Sequence, residues 1–249
     1  MIAPRALILH ADGTNRDHEA AQAMELAGAH AEIVHVNQLR GHERRWSDYQ
    51  LLVLPGGFAY ADALGAGKVL ALELHAYFAD EVWAFVDSGK PVVGICNGFQ
   101  ALVKTGFLAG GDATLTFNAS GHFECRWVTL AAQSDFCLWT RGLEELIDCP
   151  VAHGEGRFLP RHPTTIPPKQ IALCYTRADG TPAGGYPDNP NGSFADIAGI
   201  CNGGGNVLGL MPHPEDHLFA YQHPRHARGQ HGRMGLPLFQ NGVRYAAQL

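Results

Sequence analysis

Gly94-Ile-Cys-Asn-Gly98 lies between the apolar run Pro91-Val-Val-Gly-Ile95 and a helical pattern over residues 97–105, and that placement leaves few folds open. A short apolar run bounded by turn residues reads as a buried strand. G-x-nucleophile-x-G between a strand and a helix is the pattern of a nucleophile elbow. The glycines have a physical role there. Cys96 would be held in a strained turn, and a side chain at either flank would clash with the crossing backbone. The thiol would stand at the C-terminal end of a central strand, where open α/β sheets bind ligands. It would also stand at a helix N-terminus, whose partial positive charge favours thiolate. Taken alone, the pattern also fits a strand-end cysteine packed as a small hydrophobe.

The surrounding sequence suits such a sheet. Ala6–Leu9, Ile33–Val36 and Leu51–Leu54 read as further strands. Residues 17–28 read as a helix with Ala20, Met24 and Ala27 on one face and Gly28 as its stop. A long helix is expected near 67–87, where Leu70, Leu74, Phe78, Val82 and Phe85 recur every three or four residues. Alternating βαβ units imply a parallel sheet with helices on both faces. From 113 to 175 the segments are shorter and β-rich, with strands expected at Arg126–Leu130, Pro150–Ala152 and Ile171–Tyr175. Residues 179–192 are too rich in Gly, Pro, Asn and Asp for regular structure. Ile197–Ile200 and Asn206–Leu210 suggest a hairpin about Gly203-Gly-Gly205. No linker, repeat or charge run divides the 249 residues, so one domain over 1–249 is expected. Within it, a His/Arg-rich loop at 217–235 precedes a C-terminal helix.

Composition narrows the partners. A net charge of −6 argues against a basic nucleic-acid binder, and 46% hydrophobic residues argue against disorder. No apolar run reaches the length of a membrane span. The six cysteines include no CxxC pair, and Met1 leads almost directly into an apolar strand. A cytoplasmic protein with reduced thiols is the expectation.

Two further clusters support chemistry at Cys96. Met211-Pro-His-Pro-Glu215 follows the last expected strand, with His213 in a Pro-flanked loop and Glu215 two residues on. A carboxylate bonded to the far ring nitrogen would fix the tautomer of a histidine base, giving Cys96, His213 and Glu215 as nucleophile, base and orienting group. By itself His213 would read as a surface-loop histidine. Pro55-Gly-Gly-Phe58 ends the strand that starts at Leu51. Gly57 could bring its N–H to an oxyanion and Asn97 could supply a second donor, each worth about 3–4 kcal/mol. By itself Pro-Gly-Gly is also an ordinary strand-ending turn.

These residues carry a resemblance. Pro55-Gly-Gly57, Gly94-Ile-Cys-Asn-Gly-Phe-Gln100 and His213-Pro-Glu215 resemble the class I (triad) glutamine amidotransferases. Gly13-Thr-Asn15, Gly56–Asp62, His153-Gly-Glu-Gly-Arg157, Asn189-Pro-Asn-Gly-Ser193 and Ile197–Asn202 are similar to the glutaminase components of phosphoribosylformylglycinamidine synthases. The resemblance runs from about residue 5 to 217. It implies a flavodoxin-like amidotransferase fold, a central mostly parallel sheet flanked by helices with antiparallel β additions. It implies hydrolysis of L-glutamine through a thioester on Cys96. Ammonia would then pass to a large synthase subunit, with a small bridging subunit as a further partner. No cofactor is implied for this chain; ATP and Mg are implied on the synthase. Gly56, Phe58, Gln100, His153, Gly154 and Glu155 are implied to bind substrate, and Arg157, Asn189, Asn191 and Ser193 to face the partner. The Asn189–Ser193 stretch is equally readable as a rigid loop. Arg16, Gly65 and Asp216 stand where Cys, Arg and Arg are usual in the family, which bears on the interface more than on hydrolysis.

The remaining features read more plainly. His217, His223, His226 and His231, with Arg225, Arg228 and Arg233, suggest a solvated basic loop, and no spacing there suits a metal. Most of Cys125, Cys137, Cys149, Cys174 and Cys201 are expected to be buried and inert. Besides an amidotransferase acting on this or another acceptor, two alternatives are a stand-alone cysteine hydrolase and a degenerate scaffold. Glu215 argues against the first, and the complete Cys-His-Glu set against the second.

Overall fold

The computed structural model describes residues 3–249. The apolar runs become strands, and the stretches with three-to-four spacing become the helices between them. In chain order, β1 (Arg5–His10), α1 (Asp17–Leu26), β2 (His30–His35) and a short α2 (Val36–Arg40) lead to β3 (Leu51–Leu54). Then come α3 (Lys68–Asp87), β4 (Val92–Ile95) and α4 (Asn97–Thr105). Next are β5 (Ala113–Thr116), β6 (Glu124–Ala132), β7 (Ile147–His153), β8 (Arg157–Pro160) and β9 (Ile171–Thr176). The chain ends with β10 (Ile197–Cys201), β11 (Val207–Leu210) and α5 (Leu236–Ala246).

Among the described residues, nine strands form one sheet in the order β2-β1-β3-β4-β11-β10-β9-β6-β7. The first five are parallel. Beyond β11 every neighbour is antiparallel. The parallel half has the flavodoxin-like order, with β11 in the fifth place. The chain steps one way from β1 to β2 and the other way from β3 to β4. Right-handed crossovers then put α1 and α3 on opposite faces. There α1 packs with α5, and α3 with α4. Leu70, Leu74, Phe78, Val82 and Phe85 are the buried stripe of α3. As a result β1, β3, β4 and β11, side by side, release their loops at one edge of the sheet.

Two details differ from the sequence expectation. The strand expected over Ile33–Val36 stops at His35, whose ring accepts a hydrogen bond from Asn37 N at 3.1 Å and caps α2, so Val36 becomes helical. Arg157–Pro160, where no strand is expected, forms β8 and pairs with β5 in a separate two-stranded sheet. No helix among the described residues is long and apolar enough to cross a membrane.

Candidate active site

Cys96 follows β4 with φ 48° and ψ −103°, a left-handed conformation costing of order 1–3 kcal/mol that persists only where its surroundings over-determine it. Those surroundings are close. A Cβ at Gly98 would lie 2.0 Å from the Leu54 carbonyl oxygen, so only glycine lets α4 cross the end of β3. A Cβ at Gly94 would lie 2.8 Å from the Gly98 carbonyl carbon. The Cys96 N–H donates to Leu210 O at 2.8 Å, tying the turn to β11. The thiol is buried, with Sγ 3.8 Å from Ala152 O at the end of β7.

The next strand delivers the partner. Three residues after β11, the His213 N–H donates to Pro150 O at 2.9 Å. Pro214 opens a single turn, Pro214–Asp216, which folds the Glu215 carboxylate back onto the ring. His213 Nδ1 lies 2.7 Å from Glu215 Oε1, both side chains almost fully buried. Burial opposes a charge on the ring, but the Glu215 carboxylate and then Cys96, by charge and hydrogen bond, outweigh it and hold the pKa well above the usual value. Gly56 closes the triangle: a Cβ there would lie 2.5 Å from His213 Cε1 and 3.5 Å from Cys96 Cβ.

The loop after β3 carries one candidate oxyanion donor, Gly57, and Asn97, the first residue of α4, is the other. Gly57 forms an isolated antiparallel bridge with Thr14, whose neighbouring bonds run from Phe58 N to Gly13 O (3.0 Å) and from Arg16 N to Gly56 O (3.3 Å). Its φ of +142° and the approach of a Cβ to 2.7 Å from Asn15 N require glycine. Among the described residues neither the Gly57 nor the Asn97 main-chain N–H is taken up by a backbone hydrogen bond in the surrounding loops.

A cavity of about 180 Å³ opens beside the thiol, lined by Gly57, Phe58, Gln100, His153, Gly154 and Glu155 together with Cys96. Of the residues expected around the substrate, Gly56 alone does not line it; it packs on His213 instead. Gln100 Nε2 donates to Glu155 O at 2.8 Å, and Asn97 Nδ2 donates to Gln100 Oε1 at 3.1 Å and to Asp62 Oδ1 at 2.9 Å. Asp62 is a lining residue that sequence reasoning passed over, although it ends the Gly56–Asp62 stretch. Burial raises its pKa, against the Gly67 N–H and the Asn97 amide.

His153 is held by Asn118, a residue that no motif marks. Asn118 Nδ2 donates to His122 O and His153 O, and its Oδ1 accepts from Gly156 N. Its orientation being fixed, the His153 Nδ1–H donates to that Oδ1 at 3.1 Å. Burial, with the nearby His213 charge, pushes the His153 pKa down to about 4, so the ring is neutral and Nε2 is a buried acceptor without a partner among the described residues.

The residues expected to face a partner are arranged differently. Asn189, Asn191 and Ser193 are buried. Asn191 Nδ2 donates to Gly156 O (2.8 Å) and Tyr175 OH (3.0 Å), and Ser193 Oγ accepts from Phe158 N (3.0 Å). Turned inward, Asn191 and Ser193 brace Gly156 and Phe158, just beyond the cavity-lining Gly154 and Glu155, while Asn189 Nδ2 donates to Ser193 O at 2.9 Å. Arg157 is half-buried and donates to Gly192 O at 3.1 Å. His217, expected in a solvated loop, is buried as well: its ring nitrogens face Asp148 O and His231 O, and its ring packs edge-on against Trp127. Cys137, Cys149 and Cys201 are buried, but Cys125 is exposed because it falls on the outward phase of β6, and Cys174 is half-buried.

Comparison with known proteins gives a consistent result. A family model described as "CobB/CobQ-like glutamine amidotransferase domain" matches residues 3–246. Two curated relatives carry the name phosphoribosylformylglycinamidine synthase subunit PurQ. The one from Treponema denticola is 52% identical, covering 97% of this chain and 98% of its own length. That from Dehalococcoides mccartyi is 45% identical and covers 98% of each. Among solved structures, a chain of PurLQS from Thermotoga maritima superposes with a TM-score of 0.78 at 33% identity, over 98% of this chain and 99% of that one. A glutamine amidotransferase from Thermotoga maritima shares the fold, with a TM-score of 0.53 at 19% identity.

Proposed function

The chain belongs to the glutamine amidotransferase family, and we propose that it is the glutaminase component of phosphoribosylformylglycinamidine synthase, with Cys96 as nucleophile, His213 as base and Glu215 as the group that orients the base. It hydrolyses glutamine and supplies ammonia to a synthase subunit, which makes formylglycinamidine ribonucleotide from formylglycinamide ribonucleotide. The observation that carries the reading is the strained Cys96 turn on β4 beside the 2.7 Å His213–Glu215 pair on the adjoining β11.

The steps follow from that arrangement. Glu215 holds Nδ1, leaving Nε2 of His213 for the thiol, and the Glu215 charge favours the imidazolium that forms as Nε2 takes the thiol proton. Sγ attacks the glutamine carboxamide carbon in the cavity, and the oxygen that gains charge is met by the Gly57 and Asn97 N–H groups. The imidazolium gives its proton to the nitrogen as the C–N bond breaks, releasing ammonia and leaving a γ-glutamyl thioester. The now neutral ring takes a proton from water, which attacks the thioester and frees glutamate and the thiol. Gln100, His153, Gly154, Glu155 and Phe58 form the wall that seats the substrate. ATP and Mg belong to the synthase subunit in this reading, a small bridging subunit completes the assembly, and the complex is cytoplasmic.

Cys96→Ala in the assembled enzyme tests it. Glutamine-dependent synthesis is expected to vanish while synthesis from added ammonium continues. A variant that still uses glutamine would refute Cys96 as nucleophile.

A further inference from the structure

Arg16 stands between β1 and α1 and touches both halves of the site. Its main-chain N–H donates to Gly56 O at 3.3 Å, in the turn that packs against His213. Its guanidinium Nε lies 3.7 Å from Asp216 Oδ2, one residue after Glu215, while Nη1 donates to Glu19 Oε1 at 3.1 Å. Asp216 is part of the base-carrying turn, since its N–H donates to His213 O at 3.2 Å.

The charges explain why a cation belongs there. Glu215 and Asp216 are consecutive carboxylates in one turn, with side chains 0% and 17% exposed. Burial and then the Glu215 charge raise the Asp216 pKa to about 6, with Glu19 adding to the effect, while His213 and Arg16 oppose it. Without a cation at the open side of this turn, the second carboxylate would repel the first, which must stay bonded to His213.

We infer that Arg16 is a positioning residue for the triad. Through its backbone it holds the Gly56 turn, and through its guanidinium it holds Asp216, so that the two loops keep His213 at a fixed distance from Cys96. The inference rests on the reading of Cys96, His213 and Glu215 given above. It asks for charge at residue 216 and an opposite charge at residue 16; the backbone bond survives any substitution except proline.

The test is a charge exchange in the assembled synthase, comparing Arg16→Asp, Asp216→Arg and the double variant. Each single variant is expected to lower glutamine-dependent kcat about fivefold, the upper end for an ion pair open to solvent on one side. The KM for glutamine should move by less than about twofold, because neither residue lines the cavity. The double variant is expected to recover most of the loss, and the ammonium-dependent rate should be native in all three. Native kcat in both single variants would overturn the inference, as would a double variant no better than the worse single. Equal loss of the ammonium-dependent rate would also overturn it, by placing the effect in assembly. The two readings fail separately: a Cys96→Ala enzyme that uses glutamine removes the triad, whereas native kcat in the Arg16 and Asp216 variants removes only this role.

Discussion

Gly56→Ala measures how tightly the base is seated. The added Cβ would stand 2.5 Å from His213 Cε1 and 3.2 Å from Nδ1, whereas ordinary contact begins at 3.4 Å. The ring must therefore retreat by about 0.9 Å. The fold has little room for this, since Nδ1 is held at 2.7 Å by Glu215 and the main chain of His213 by Pro150. A misplacement of about 1 Å at a reacting group costs on the order of a hundredfold in rate, or about 2.7 kcal/mol of transition-state free energy. The assay is glutamine-dependent product formation by the assembled synthase, with the ammonium-dependent rate as an internal measure of folding and assembly. The expected outcome is a kcat about a hundredfold down with ammonium-dependent synthesis intact. Gly203→Ala is the control: it has no left-handed φ, and the nearest atom to its added Cβ is Gln170 Nε2 at 3.6 Å. A Gly56→Ala enzyme within about threefold of native would refute the claim that this glycine sets the position of the ring.

Two other outcomes follow from the same geometry. Gly98→Ala places a Cβ 2.0 Å from backbone oxygen that cannot yield, so it should cost at least about 3 kcal/mol of stability, read from the denaturant midpoint. For His153 the sign is that of a buried neutral histidine. With its pKa lowered from 6.5 to about 4, its stabilising contribution is present above the unfolded value and lost as pH falls across that interval, by up to about 3 kcal/mol. Chemical denaturation of native and His153→Gln proteins at pH 7 and pH 4.5 should therefore show a smaller gap at the lower pH; a gap independent of pH would refute a buried neutral ring.

The legible parts of this site are those whose reason is local. Gly94-Ile-Cys-Asn-Gly98 and His213-Pro-Glu215 announce themselves because a strained turn and a ring-orienting carboxylate need particular residues a few positions apart. The parallel half of the sheet was readable for a similar reason, since each βαβ unit repeats the same periodicities. Asn118 was not readable: it matters because β7 ends beside it, and nothing within several residues of 118 shows that. Arg16 and Asp216 each drew notice as departures from a pattern, but only the fold places them 3.7 Å apart. The inward turn of Asn191 and Ser193 was hidden as well, because a segment rich in Asn, Pro and Gly looks solvated until its hydrogen-bond partners are seen.

The pairing of β4 with β11 also has a consequence for the order of events during synthesis. Between these neighbouring strands lies the whole excursion from Asn97 to Asn206, including the antiparallel half of the sheet. At typical elongation rates Cys96 leaves the ribosome roughly ten seconds before His213. Until β11 arrives, β4 has only β3 beside it and presents an open edge, and the thiol has no base. Closing that gap is a long-range event and so a late one. A nascent or truncated chain would therefore carry an inert cysteine, and reactivity toward glutamine would appear only when the last strand of the sheet has docked.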